Sequence, residues 1–146
     1  MKLKDLLKTL KNNDSISKSR IIRDDIIKLC DNHIKQKYQI YEKYSIASIG
    51  HDLDGYVPGE GSWSFAYGDG INNEVRLEYT IYYGACGCEG FTEYFNADEV
   101  DNFDWKAFED EVKAKRIKDL TREYKSLIDN AEKISKQIEE LQKNEA

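Results

Sequence analysis

Proline occurs once in 146 residues, methionine once, histidine twice and glycine nine times. So few helix breakers leave room for long helices and confine irregular chain to the places where glycine clusters. Cysteine occurs three times. An odd, small number does not build a disulfide framework and fits a reducing compartment, so a cytoplasmic location is expected. No apolar run approaches the roughly 18 residues that a bilayer span requires. The stretch "MKLKDLLKTLKNND" is basic and amphipathic, with neither an apolar h-region nor a small-residue cleavage site, so no signal peptide is expected. Arginine is as scarce as the breakers, while Ile, Lys, Asn and Tyr abound. That bias belongs to AT-rich genomes and suits a small phage or mobile-element protein.

What the chain does have is charge, and it is placed unevenly. Hydrophobic residues make up 40% and charged residues 34%, enough for one core and too apolar for a disordered chain. Residues 1–44 carry 11 basic and 6 acidic side chains, residues 45–111 carry 2 and 15, and residues 112–146 carry 9 and 7. The middle therefore has a net charge of −13, between two mildly basic flanks. Phosphate binding needs Lys and Arg, so this middle argues against direct nucleic-acid contact.

Apolar periodicity divides the chain. Leu3, Leu6, Leu7 and Leu10 mark a first helix over 2–11, and Asp14 or Ser15 can cap a second over about 16–43. The second stripe runs through Ile22, Ile26, Leu29 or Cys30, His33 or Ile34, Tyr38 and Tyr41. From Tyr44 the period changes to two. Strands are expected at 44–50, 62–68, 74–83 and 91–95, with a glycine-rich loop at 50–61, an Asp-Gly turn at 69–73 and a hairpin turn at 84–90. Asn96 and Glu99 have the spacing of a capping box. A last helix runs from Trp105 to Gln142, with Trp105, Phe108 and Val112 docking on the meander.

Beyond Val112 the helix changes phase. Ile117, Leu120, Tyr124, Leu127, Ala131, Ile134, Ile138 and Leu141 follow one another at alternating spacings of three and four. That narrow seam is a coiled-coil pattern, to be covered by the N-terminal helices, by another copy of the chain, or by both. The fold class expected is α+β: two N-terminal helices, a three- or four-stranded antiparallel meander, and a long C-terminal helix with a coiled-coil end. It reads as one domain of 146 residues: helical over 1–43, a meander over 44–96, and the C-terminal helix over 97–146 with its coiled-coil segment at 113–143.

Candidate chemistry is sparse. "GACGCEG" places Cys86 and Cys88 in a glycine-flanked turn, and Cys30 with His33 makes a Cys-x2-His pair on one helix face. Together they could close a tetrahedral zinc site that staples helix to hairpin. Cys-x-Cys is less usual than Cys-x2-Cys, and a buried free cysteine with a tight turn explains the same residues. A Cys86–Cys88 disulfide would close a small, strained ring. The loop "HDLDGYVPGEG" gathers His51, Asp52, Asp54 and Glu60. These could serve a metal-dependent hydrolase, but the spacing is not that of an EF-hand and no nucleophile stands nearby. Lys18, Arg20, Arg23 and Lys28 hint at a helix-turn-helix reader, but Asp24, Asp25 and Asp31 interleave with them.

The acidic middle points to a protein partner. Glu74, Glu78, Glu89, Glu93, Asp98, Glu99, Asp101 and Asp104 are expected on the wet face and rim of the sheet, with Tyr82 and Tyr94 among them. Aromatic anchors and steering charge suit a basic protein surface. The expected function is a non-enzymatic interaction module, of the kind a phage or mobile-element regulator or inhibitor would be, that self-associates through its C-terminal helix without a cofactor. A zinc-stabilised module, a hydrolase and a small-molecule binder using the tyrosine-rich sheet are the alternatives.

Overall fold

A computed structural model describes residues 1–46, 53, 55–66, 73–82 and 87–144, with Cys88 described by its backbone alone. Two helices, α1 (Leu3–Lys11) and α2 (Ile16–Lys43), precede three strands, β1 (Ser62–Phe65), β2 (Glu74–Tyr82) and β3 (Cys88–Asn96). A short helix, α3 (Ala97–Asp101), leads into α4 (Trp105–Asn144). The strands form one antiparallel sheet in the order β1-β2-β3, so the α+β architecture is as expected. Among the described residues no helix is long and apolar enough to cross a membrane. The chain divides into two compact units, Met1–Trp105 and Lys106–Ala146.

The first unit is built on the period of β2. Val75, Leu77, Tyr79 and Ile81 are buried, while Glu78 and Tyr82, which alternate with them, are exposed. Register extends the dry face sideways: Trp63 and Phe65 of β1 pair with Tyr79 and Leu77, and Phe91 and Phe95 of β3 pair with Tyr79 and Val75. Into this face α2 brings Ile22, Ile26, Cys30 and Ile34, and α1 adds Leu3, Leu6 and Leu7. Burying side chains of this kind is worth about 1.5–3 kcal/mol each, which is why both stripes are engaged.

The helix ends are closed by nearby groups. Ser15 accepts from the Lys18 amide at 3.5 Å, and Asn96 accepts from the Asp98 and Glu99 amides at 3.0 and 3.3 Å. Lys2 supplies no side-chain cap to α1. Instead Asp101, reaching from α3, accepts the Leu3 and Lys4 amides at 2.7 and 3.0 Å. A carboxylate on free N–H groups at a helix start is favoured by hydrogen bonding and by the helix dipole together.

The described residues differ from the expected strands at three places. Residues 44–46 finish α2, and residues 47–50 lie outside the described residues. There the Ile46 amide donates to the Tyr41 carbonyl at 2.9 Å and the Ser45 amide to that of Glu42 at 3.0 Å, a Schellman closure with Ser45 at φ 54°. β1 stops at Phe65, short of 68, and residues 67–72 lie outside the described residues. β3 starts earlier than 91, because Cys88, Glu89 and Gly90 pair with Tyr82, Ile81 and Thr80. Gly90 there serves a close approach: a Cβ on it would stand 2.5 Å from the Tyr79 carbonyl oxygen.

The second unit is the helix itself. As a whole α4 runs 40 residues without a break, about 60 Å at 1.5 Å per residue. Every seam position from Ile117 to Leu141 is exposed. Of the upstream apolar residues, Val112 is buried, and Trp105, which belongs to the first unit, packs on His33 and Phe103.

Ser45 occupies the left-handed position that glycine fills at most such helix ends, at a cost of roughly 1–2 kcal/mol for a residue with a Cβ. Replacement of Ser45 by glycine is expected to raise the urea midpoint of the protein by the equivalent of about 1 kcal/mol, measured by circular dichroism.

Candidate functional site

Among the described residues of the first unit, one polar group ties several segments together, and the apolar stripe alone does not reveal it. Asp31 sits on α2 beside that stripe. Its Oδ1 accepts from the Tyr56 hydroxyl at 3.0 Å and from Trp63 Nε1 at 2.8 Å, and Lys35 Nζ lies 3.5 Å from its Oδ2. The Tyr79 hydroxyl closes the same layer, donating to the Val57 carbonyl at 2.6 Å and accepting from the Val57 amide at 3.2 Å. Ring centroids stand 4.8 Å apart for Trp63–Tyr79, 5.1 Å for Tyr56–Tyr79 and 5.2 Å for Tyr79–Phe91. Gly61 admits the Tyr79 ring, since a Cβ there would overlap it.

This layer is built to hold the fold together. Burial, followed by the Asp31 charge and hydrogen bond, pushes the Tyr56 hydroxyl well above the ordinary tyrosine range. Tyr79 is also raised, chiefly by burial, with its backbone hydrogen bonds working the other way. Both hydroxyls donate hydrogen bonds within this layer. The clue in the sequence was an aspartate on the edge of an apolar stripe, facing a segment with one tyrosine and one tryptophan.

The proposed zinc ligands are placed in part. Cys30 is fully buried in the core. Burial, then the charges of Asp101 and Asp31, push its thiol up, away from the thiolate that binds metals. His33 is buried with its ring against Phe103 at 4.8 Å and Trp105 at 5.0 Å. Cys86 lies outside the described residues, as do His51, Asp52 and Asp54 of the hydrolase reading. Among the described residues no group of three or more His, Cys, Asp or Glu side chains converges on a metal site.

The acidic set separates into three groups. Glu74, Glu78, Tyr82 and Tyr94 do share the outer face, where Tyr82 is 71% and Tyr94 56% exposed. Arg76 lies on that face as well, its guanidinium 6.0 Å from the Tyr94 ring centre. Glu89 and Glu93 do not: they pair with Ile81 and Leu77 and so lie on the side of the sheet that carries the core. Side-chain parity decides this, because the partner of an inward residue points inward too. Asp101 is engaged at the start of α1, and Asp98 lies 3.5 Å from Lys4.

A cavity of about 540 Å³ opens beside the C-terminal end of α2, between Tyr38, Tyr41, Glu42, Leu53 and Tyr56. Residues 47–52 and 54, which link its walls, lie outside the described residues. In the second unit, Ile117, Leu120, Tyr124, Leu127, Ile134, Ile138 and Leu141 line one stripe and are each 45–65% exposed. This is the longest apolar feature that the described residues leave open. No family model matches the chain, and no curated protein or solved structure matches it.

Removing the Asp31 carboxylate leaves the buried Tyr56 hydroxyl and the half-buried Trp63 indole without their acceptor. Asp31→Ala is expected to cost about 2–4 kcal/mol, since a hydrogen bond to a charged group contributes roughly 1.5–3, read as a lowered urea midpoint. The alkaline limb of stability checks the tyrosines. Their folded values lie above the unfolded value of about 10, so below that pH their contribution is whole. As pH rises above it the unfolded chain loses protons first, and stability falls. Tyr56→Phe should flatten that fall relative to wild type, and an unchanged slope would contradict the assignment.

Proposed function

We propose that this chain is a non-enzymatic interaction protein that pairs with a second copy of itself through α4 and offers a basic protein partner the outer face of its sheet. The observation that carries this reading is the seam: eight successive positions at three- and four-residue spacing, all exposed. An exposed apolar stripe of this length is a patch that proteins in water normally cover. The N-terminal helices are poor candidates for the cover, because Leu3, Leu6 and Leu7 of α1 and Ile22, Ile26 and Ile34 of α2 are already buried in the core. A narrow seam of large aliphatic residues is complementary to another seam of the same kind, which makes a second copy the natural occupant.

The outer face supplies the second half of the proposal. Tyr82 and Tyr94 stand out from it as anchors, with Glu74 and Glu78 alongside, in the middle segment whose net charge is −13. Exposed aromatics bind and carboxylates steer a cationic surface toward them. This pairing of an acidic face with a self-associating helix suits a small regulator or inhibitor of the kind that a phage or another mobile element carries. The cytoplasm is the compartment proposed for it.

Sedimentation equilibrium tests the reading. The wild-type chain is expected at twice its 17.0 kDa mass at micromolar concentration. The double variant Leu127→Glu/Ile134→Glu is expected to be monomeric, with the near-ultraviolet signal of Trp63 and Tyr79 unchanged. A wild-type protein that stays monomeric would sink the proposal.

A further inference from the structure

We infer that two copies of α4 pair antiparallel, with Ile117 of one copy opposite Leu141 of the other. The inference rests on the self-association reading and adds an orientation and a register to it. Three independent features of the helix point the same way.

The first is charge. Residues 113–125 carry six basic and two acidic side chains, whereas residues 129–145 carry three basic and five acidic ones. A parallel pair would set the basic half of one helix beside the basic half of its neighbour. Reversing one helix sets each basic half beside an acidic half instead.

The second is volume. With Ile117 at a and Leu120 at d, a parallel pair stacks Tyr124 on Tyr124 and Ala131 on Ala131. One layer is then crowded and another, two turns away, is hollow. In the antiparallel register Tyr124 meets Ile134, Leu127 meets Ala131, Leu120 meets Ile138, and Ile117 meets Leu141. The smallest residue now faces a large one, and each layer recurs by symmetry, as close packing asks of facing positions.

The third is Ile128. It occupies an e position, next to the seam, and is 39% exposed. In a parallel pair e faces g, which would lay Ile128 against Glu123 of the second copy. In a reversed pair e faces e, and the two Ile128 side chains meet across the two-fold axis, beside the Leu127–Ala131 layers. The other e and g positions from Arg116 to Gln142 are Arg116, Glu123 and uncharged polar residues. The antiparallel register puts no like charges together among them.

Photocrosslinking from within the helix distinguishes the arrangements on the full chain. A benzoyl-phenylalanine is placed at Thr121, an e position, or at Gln137, a g position. The covalent dimer is isolated after irradiation and the linked peptides are mapped. The antiparallel pair predicts links from position 121 to residues 133–143 of the second copy, and from 137 to residues 115–125. Links from 121 into 114–125, and from 137 into 137–143, would show a parallel pair. Links into residues 1–105 would show that the seam docks elsewhere. Either result overturns the orientation while leaving a dimer. A chain that is monomeric and yields no covalent dimer overturns the self-association reading itself, so the two failures are separable.

Discussion

Asp31 is the group on which the first unit turns. Its carboxylate takes the Tyr56 hydroxyl and the Trp63 indole on one oxygen and neighbours Lys35 on the other. Through those two donors a segment rich in glycine and the edge strand β1 are both fastened to α2. Tyr79 then finds its place between them, with its hydroxyl on Val57 and its ring against Gly61. A partly buried charge is costly unless hydrogen-bonded, and Asp31, 28% exposed, finds aromatic donors whose own burial is favourable. The aromatic layer and the carboxylate make each other possible. The consequence is that α2 is held face-on to the sheet, with Ile22, Ile26, Cys30 and Ile34 all inside.

That arrangement has a corollary for function. Among the described residues, the stripes of α1 and α2 are buried against β2 and its neighbours. α4, by contrast, has a seam over three heptads long and exposed along its length. The proposed assembly follows from this imbalance and needs no catalytic group. The Asp101 cap shows how charge is divided as well: Asp101 holds the start of α1, whereas Glu74 and Glu78 lie on the outer sheet face.

Much of this architecture could be read in the sequence. Helix periodicity located α2 at 16–43 and the start of α4 at Trp105, and β2 was the clearest alternating run. The seam was equally plain, because heptad spacing survives without any tertiary context. Failures occurred where the answer depended on pairing. Glu89 and Glu93 were expected on the wet face, yet register with Ile81 and Leu77 turns them to the other side. Gly90 reads as turn punctuation, and only the neighbouring strand shows that it is a point of close approach. Asp31 and Asp101 look like solvated charges along the chain. Their partners lie 25 and 98 residues away in sequence, a distance no local pattern conveys.

Hydrogen exchange of the wild-type protein at several dilutions measures the central claim, that the α4 seam is closed by a second copy. The account predicts that amides over 117–141 gain protection as concentration rises, while those of β2 over 74–82 stay equally protected throughout. Exchange over 117–141 that is fast and independent of concentration would contradict it.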